Sequence, residues 1–265
     1  MIFQRISRLV RSSHRQPSQM QQAPDLFFLC FAQIPVTLFL PFGLSLRENH
    51  LSFWNKVLFY WSHLSSNYGC IIPEHSHIGF EIINYALKGS FETYQKEKDI
   101  WTKMNEGDME LVKAGKGIRH TVKLHPRSEI LQIWIDPNFD QFRKKEAEII
   151  YYKANAFPMN ELTGIKTSNL ASKDSPLKFD SKGVSIELND YSAGFHTIAC
   201  PSDSVLSCYI LDGYVEVNDI TIGKNDFFTI DESKEIRIAS LVNSRIFMTI
   251  TPYTPEYKTY GSMYI

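Results

Sequence analysis

From residue 68 onward the chain breaks into short runs rich in β-branched and aromatic residues, each closed by a turn-forming residue. The runs are 68–72, 77–87, 91–95, 109–113, 130–135, 184–188, 196–199, 204–211, 214–217, 227–230, 235–239 and 245–251. Segments of this length and spacing are too short for buried helices and suit antiparallel strands that close into sandwiches or barrels. An all-β fold with few short helices is therefore expected. Only residues 139–149 look helical, with Arg143, Lys144, Lys145, Glu146 and Glu148 forming a solvated face. At 265 residues and 43% hydrophobic content the chain has apolar material for one large core or two ordinary ones. Lys and Arg total 28 against 29 Asp and Glu, a net charge of -1. That balance argues against nucleic-acid binding driven by bulk charge.

An internal echo points to two units. Ala86-Leu87-Lys88-Gly89-Ser90-Phe91-Glu92 matches the order of Ile210-Leu211-Asp212-Gly213-Tyr214-Val215-Glu216, strand, glycine turn and strand. Each is followed by a second turn and strand, Glu106-Gly107-Asp108-Met109-Glu110-Leu111-Val112 and Lys224-Asn225-Asp226-Phe227-Phe228-Thr229-Ile230. The same hairpin order twice implies two copies of one β-barrel. The expected division is 1–153, a connection at 154–182 rich in Ser, Lys, Asn and Pro, and 183–265.

The N-terminus carries Arg5, Arg8, Arg11 and Arg15 and no acid before Asp25. The apolar stretch after it is interrupted by Gln33 and Pro35 and is too short to span a bilayer as a helix. Two buried strands at 26–33 and 36–40 are expected, a targeting segment being the alternative. No membrane partner is expected. Cys30, Cys70, Cys200 and Cys208 form no CxxC pair. Reduced thiols in a cytoplasmic, monomeric protein are the expectation, with a Cys200–Cys208 bridge as the alternative.

The chemistry-bearing residues lie between 69 and 120. His75 and His77 are two apart, and Glu81 follows at the same parity. In one continuous strand these side chains share a face, with Gly79 leaving room between them. His120 comes after the turn at Gly107-Asp108, a distance that returns an antiparallel strand beside the first. Imidazoles with a carboxylate suit a divalent first-row transition metal. An H-x-H pair by itself is more often a hydrogen-bonded surface pair. No nucleophile elbow appears, nor a phosphate loop or dinucleotide fingerprint in a βαβ setting. The cluster Phe53, Trp54, Phe59, Tyr60 and Trp61 reads first as core or inter-barrel packing and second as the wall of a flat aromatic substrate site.

Gly69-x5-His75-x-His77-x3-Glu81, with Gly89 beyond, resembles the first cupin motif. More narrowly, His75-Ser76-His77-Ile78-Gly79-Phe80-Glu81 is similar to the H-x-H-x-G-F-E signature of the pirin family. Gly107-Asp108, then Lys113-Ala114-Gly115-Lys116-Gly117-Ile118-x-His120, resembles that family's second motif, and Gln132-Ile133-Trp134 its Q-x-W strand. The resemblance covers residues 69–136 and implies a bicupin, two barrels packed face to face with one metal in the first. Iron is the usual metal, with nickel, copper or manganese as alternatives. His75, His77 and His120 fall on the family's histidine ligands. The family's fourth ligand, a glutamate, is Val122 here. Either Glu81 turns onto the metal, or water or substrate fills the gap, or the site has decayed; His125 is a lesser candidate. In the second half the counterparts of His75, His77, Glu81 and His120 are Ala199, Pro201, Val205 and Ile238, none able to ligate, and nearby His196 reads as structural.

The resemblance implies a metal-dependent dioxygenase acting on a flavonol such as quercetin, with Glu81 as the base for the hydroxyl proton. A small aromatic substrate is then the expected partner. The second reading is a non-catalytic binding or regulatory protein, metal-bound or metal-free, that works through a protein partner without touching nucleic acid directly.

Overall fold

The computed structural model describes residues 6–10, 44–50, 57–217, 219–231 and 235–259. The expected strands at 26–33 and 36–40, and Cys30, Phe53 and Trp54, lie outside them. In chain order the strands are β1 (Ile6–Val10), β2 (Leu44–His50), β3 (Leu58–Ser66), β4 (Cys70–His77), β5 (Glu81–Lys88), β6 (Ser90–Gln95), β7 (Ile100–Asn105), β8 (Met109–Lys113), β9 (Ile118–Leu124), β10 (Ser128–Ile135) and β11 (Glu148–Tyr152). They continue as β12 (Met159–Leu162), β13 (Ile165–Ala171), β14 (Ser185–Tyr191), β15 (Gly194–Ala199), β16 (Ser204–Asp212), β17 (Tyr214–Val217), β18 (Ile220–Gly223), β19 (Phe227–Ile230), β20 (Glu235–Ser240) and β21 (Ser244–Pro252).

Each barrel is two antiparallel sheets. In the first, the order β11-β8-β5-β10-β3-β2 faces β4-β9-β6-β7; in the second, β1-β19-β16-β21-β14-β13-β12 faces β15-β20-β17-β18. The all-β bicupin architecture implied by the sequence is the one observed.

Period-two alternation divides the six-stranded sheet of the first barrel between two cores. Trp61, Ile83, Tyr85, Met109, Leu111, Leu131 and Ile133 pack with Tyr209, Phe227 and Phe247 of the second barrel. The Trp61 ring lies 5.5 Å from the Tyr209 and Phe227 rings and 5.4 Å from that of Phe247. The residues of opposite parity face the barrel interior. Ala86, Ile130 and Leu64 meet Phe91, Met104, Val122 and Leu124 at its floor. Ile82 and Val112 join Phe59, Tyr60, Phe80 and Ile149 at its mouth.

Three expectations are corrected by pairing. The helix foreseen over 139–149 is only α1 (Phe139–Phe142), capped by the Asn138 side chain. The residues after it, Glu148–Tyr152, form β11 against β8. Their β-branched and aromatic side chains fit a sheet edge, and tertiary pairing outweighs the charged run before them. The connection at 154–182 is partly sheet, since β12 and β13 extend the second barrel through β14. β1 pairs with β19, so Ile6–Val10 belongs by pairing to the second barrel and not to the first. Cys70, Cys200 and Cys208 are free thiols, so the bridge considered for the last two is not formed. Among the described residues, no helix is long and apolar enough to cross a membrane.

Candidate metal centre

β4 and β9 bring the three histidines together. His75 is the register partner of His120, and β4 bulges between Ile72 and His75, which re-aims the strand end. One ring nitrogen from each of His75, His77 and His120 lies within 4.8 Å of the others. His75 Nε2 and His120 Nε2 are 3.0 Å apart. His75 Nδ1–H donates to the Pro73 carbonyl at 2.8 Å, which fixes the tautomer and leaves Nε2 facing the group. His77 Nε2 and His120 Nδ1 are buried without a hydrogen-bond partner.

Burial lowers the pKa of His75. It pushes His77 far down, assisted by the charges that His120 and His75 would carry, and brings His120 to about 3, assisted by His75. All three rings are therefore neutral near pH 7, the protonation state that a metal requires of its ligands. Convergent neutral imidazoles with unpartnered buried nitrogens fit a divalent first-row ion.

Glu81 is not among them. The sequence reading assumed one strand through 75, 77, 79 and 81, but β4 ends at His77 and β5 begins at Glu81. Between them Gly79 adopts φ +83°, and a Cβ there would meet the Phe139 ring at 2.7 Å. The turn resets the alternation, so Glu81 shares parity with Ile83 and Tyr85 and points toward the barrel interface. Its Oε1 accepts the Asp180 N–H at 2.8 Å. Its Oε2 accepts the Ser181 N–H at 2.9 Å and the Ser181 hydroxyl at 2.6 Å. Burial raises its pKa, and these donors and Lys113 pull it back. The carboxylate clamps the inter-barrel connection.

Val122 is buried in the apolar floor cluster, two residues past His120 on the same face. His125 lies 3.3 Å from Glu92, away from the histidine group. In the second barrel His196 Nε2–H donates to the Ser192 carbonyl at 2.7 Å, and its ring packs edge-on against Tyr191.

An aromatic wall borders the histidines. Trp134 stacks on Tyr60 at 4.2 Å and on Phe80 at 5.0 Å, and both Phe80 and Trp134 meet His77 at 5.5 Å. The aromatic cluster read from the sequence is thus split: Trp61 fills the interface, whereas Phe59 and Tyr60 line the mouth. A register shift opposite Phe59, between Trp134 and Ile135, explains why adjacent residues share that side. Below the wall a chain of amides runs inward. Trp134 Nε1–H donates to Gln132 Oε1 at 3.2 Å, Gln132 Nε2–H to Asn84 Oδ1 at 2.9 Å, and Asn84 Nδ2–H to Glu110 Oε1 at 2.7 Å. Sequence reasoning passed over Asn84 and Glu110. Their signal was a polar residue interrupting an apolar strand, as in Met109-Glu110-Leu111-Val112.

Residues 50–135 match the family model Pirin. The chain is 28% identical to a pirin-like protein of Caulobacter vibrioides over 188 residues, covering 66% of this chain and 75% of that one. It is 31% identical to human pirin over 87 residues, 28% of this chain and 29% of the human protein. A crystal structure of quercetin 2,3-dioxygenase from Acinetobacter baumannii superposes with a TM-score of 0.71 at 17% identity, covering 83% of this chain and 85% of that one. The Escherichia coli pirin YhhW, solved in complex with nickel(II), gives 0.63 at 18% identity, covering 80% and 93%.

Proposed function

We propose, for a chain that belongs to the pirin family of cupin proteins, a metal-dependent dioxygenase of flavonol-type substrates. The observation that carries this reading is the group of His75, His77 and His120 set against the aromatic wall of Phe59, Tyr60, Phe80 and Trp134. A quercetin 2,3-dioxygenase among the structural neighbours supports the choice of substrate class. The three histidines would hold the ion, iron by family resemblance, which would supply Lewis acidity and a site for oxygen. The chain's own part is to bind and orient. Neutral imidazoles hold the ion without offsetting its charge. Stacked aromatic faces select a flat ring system and exclude water from the mouth.

A second reading, a metal-binding protein without turnover that acts in the cytoplasm through a protein partner, is favoured by Val122. An apolar side chain stands where the family resemblance places a carboxylate ligand. Aerobic assay of the iron- and nickel-loaded protein with quercetin, followed by loss of the flavonol absorption band, separates the two. Turnover that disappears in His120→Ala supports the dioxygenase. Full metal loading without turnover of any flavonol tested supports the second reading.

A further inference from the structure

A dication on three neutral histidines receives no charge from Val122, and Glu81 faces the other side of the sheet. The first barrel nevertheless holds a carboxylate in its interior. Glu110 on β8 is fully buried and shares parity with Val112 of the mouth cluster. Its Oε1 is held by Asn84, while its Oε2 makes no hydrogen bond. Thr93, the register partner of Val122, lies close enough to favour the charged form without closing a hydrogen bond to Oε2. Two residues along the same strands, on the same face, the pair is Gln95 and His120. Glu110 thus lies on the interior face of its sheet, next to Thr93 of the facing sheet, whose partner strand carries Val122 and His120 on the same face.

We propose that Glu110 is the counter-charge of the histidine site, the carboxylate that balances a divalent cation from the facing wall of the barrel. It stands outside the convergent nitrogens, so its part is charge and not a coordination bond. The inference rests on the metal reading above. The proton balance is simple. The cation enters, the Glu110 O–H bond breaks, the carboxylate remains in the barrel and the proton passes to buffer. Burial raises the Glu110 pKa to about 7, with Thr93 and Asn84 offsetting part of the effect, so a proton is there to be released. The titratable groups around it are Tyr151 on β11, its pKa raised by burial and by Glu110, and, on the facing sheet, the three histidines, which stay neutral.

The test is calorimetric titration of nickel(II) into the metal-free protein, in two buffers of different ionisation enthalpy, at pH values from 6 to 8. The wild type is expected to release a proton fraction that grows as pH falls through about 7. Glu110→Gln should abolish that component and weaken nickel binding at least tenfold. Val122→Glu in the Glu110→Gln background should restore affinity. Equal affinity and equal proton release in wild type and a folded Glu110→Gln variant would overturn the proposal while leaving the metal site standing. No nickel binding by the wild type would overturn both. Should Glu110→Gln not fold, Glu110→Asp carries the test: retained proton release with intermediate affinity supports the proposal, and loss of that release overturns it.

Discussion

Replacing Glu81 by glutamine separates a clamp from a catalytic base. The native carboxylate accepts three donors from Asp180 and Ser181, all 2.6 to 2.9 Å away. Glutamine offers one carbonyl oxygen and one amide group that donates. Whichever way it turns, at least one backbone N–H faces another donor in a site closed to water. Hydrogen bonds to charged groups contribute roughly 1.5–3 kcal/mol, and a buried group left unsatisfied costs roughly 1–3 kcal/mol. Relief of the carboxylate's own desolvation offsets part of this, so the net loss should be about 2–4 kcal/mol. Urea denaturation of the metal-free protein measures it. Amide exchange at Asp180 and Ser181 should accelerate in the variant, because the connection loses its anchor. Metal content should be unchanged. Stability within about 0.5 kcal/mol of wild type, with flavonol turnover lost at full metal loading, would refute the clamp and restore the base.

Other outcomes follow from the same contacts. The Glu110 pKa rises from 4.5 to about 7 in the folded state, so the folded protein holds that proton more tightly than the unfolded chain. Metal-free wild type should then lose about 3 kcal/mol relative to Glu110→Gln as pH rises from 4.5 through 7, measured by denaturation at pH 5 and pH 8. Burial raises the Asp108 pKa, but Lys153 and the backbone N–H groups of Asn105 and Ala154 hold it below the usual range. Asp108→Ala should therefore cost about 2–3 kcal/mol at pH 7, a deficit that shrinks as pH falls below about 4 and is read by thermal melts at both pH values. Gly79→Ala places a methyl group on the Phe139 ring at positive φ; lower thermal stability with reduced nickel affinity is expected, since this turn aims His77. Trp61→Ala should cost about 3–5 kcal/mol by emptying the inter-barrel core, without altering metal stoichiometry.

The histidine group was legible because spacing and parity survive folding. His75 and His77 sit on one strand, and the antiparallel return places His120 opposite. Glu81 was misplaced because one positive-φ glycine between β4 and β5 restarts the alternation, and parity arguments hold only within a strand. Residues 143–149 were read as helix because their charged run suits a solvated face, while the contact with β8 that makes 148–152 a strand is distant in sequence. The pairing of β1 with β19 is likewise a long-range event that no local pattern encodes. Glu110 was hidden by its setting, since a single acid in an apolar strand gives no periodic signal until the facing sheet is known.

The most direct test of the central claim is metal content. Plasma mass spectrometry of the purified, untagged protein, with His120→Ala alongside, decides whether His75, His77 and His120 form a metal centre. The account predicts about one divalent transition-metal ion per chain in the wild type, in keeping with three convergent ligands and an open position, and loss of that ion in the variant. No bound metal after reconstitution with iron(II) or nickel(II), or equal metal in the variant, would contradict it.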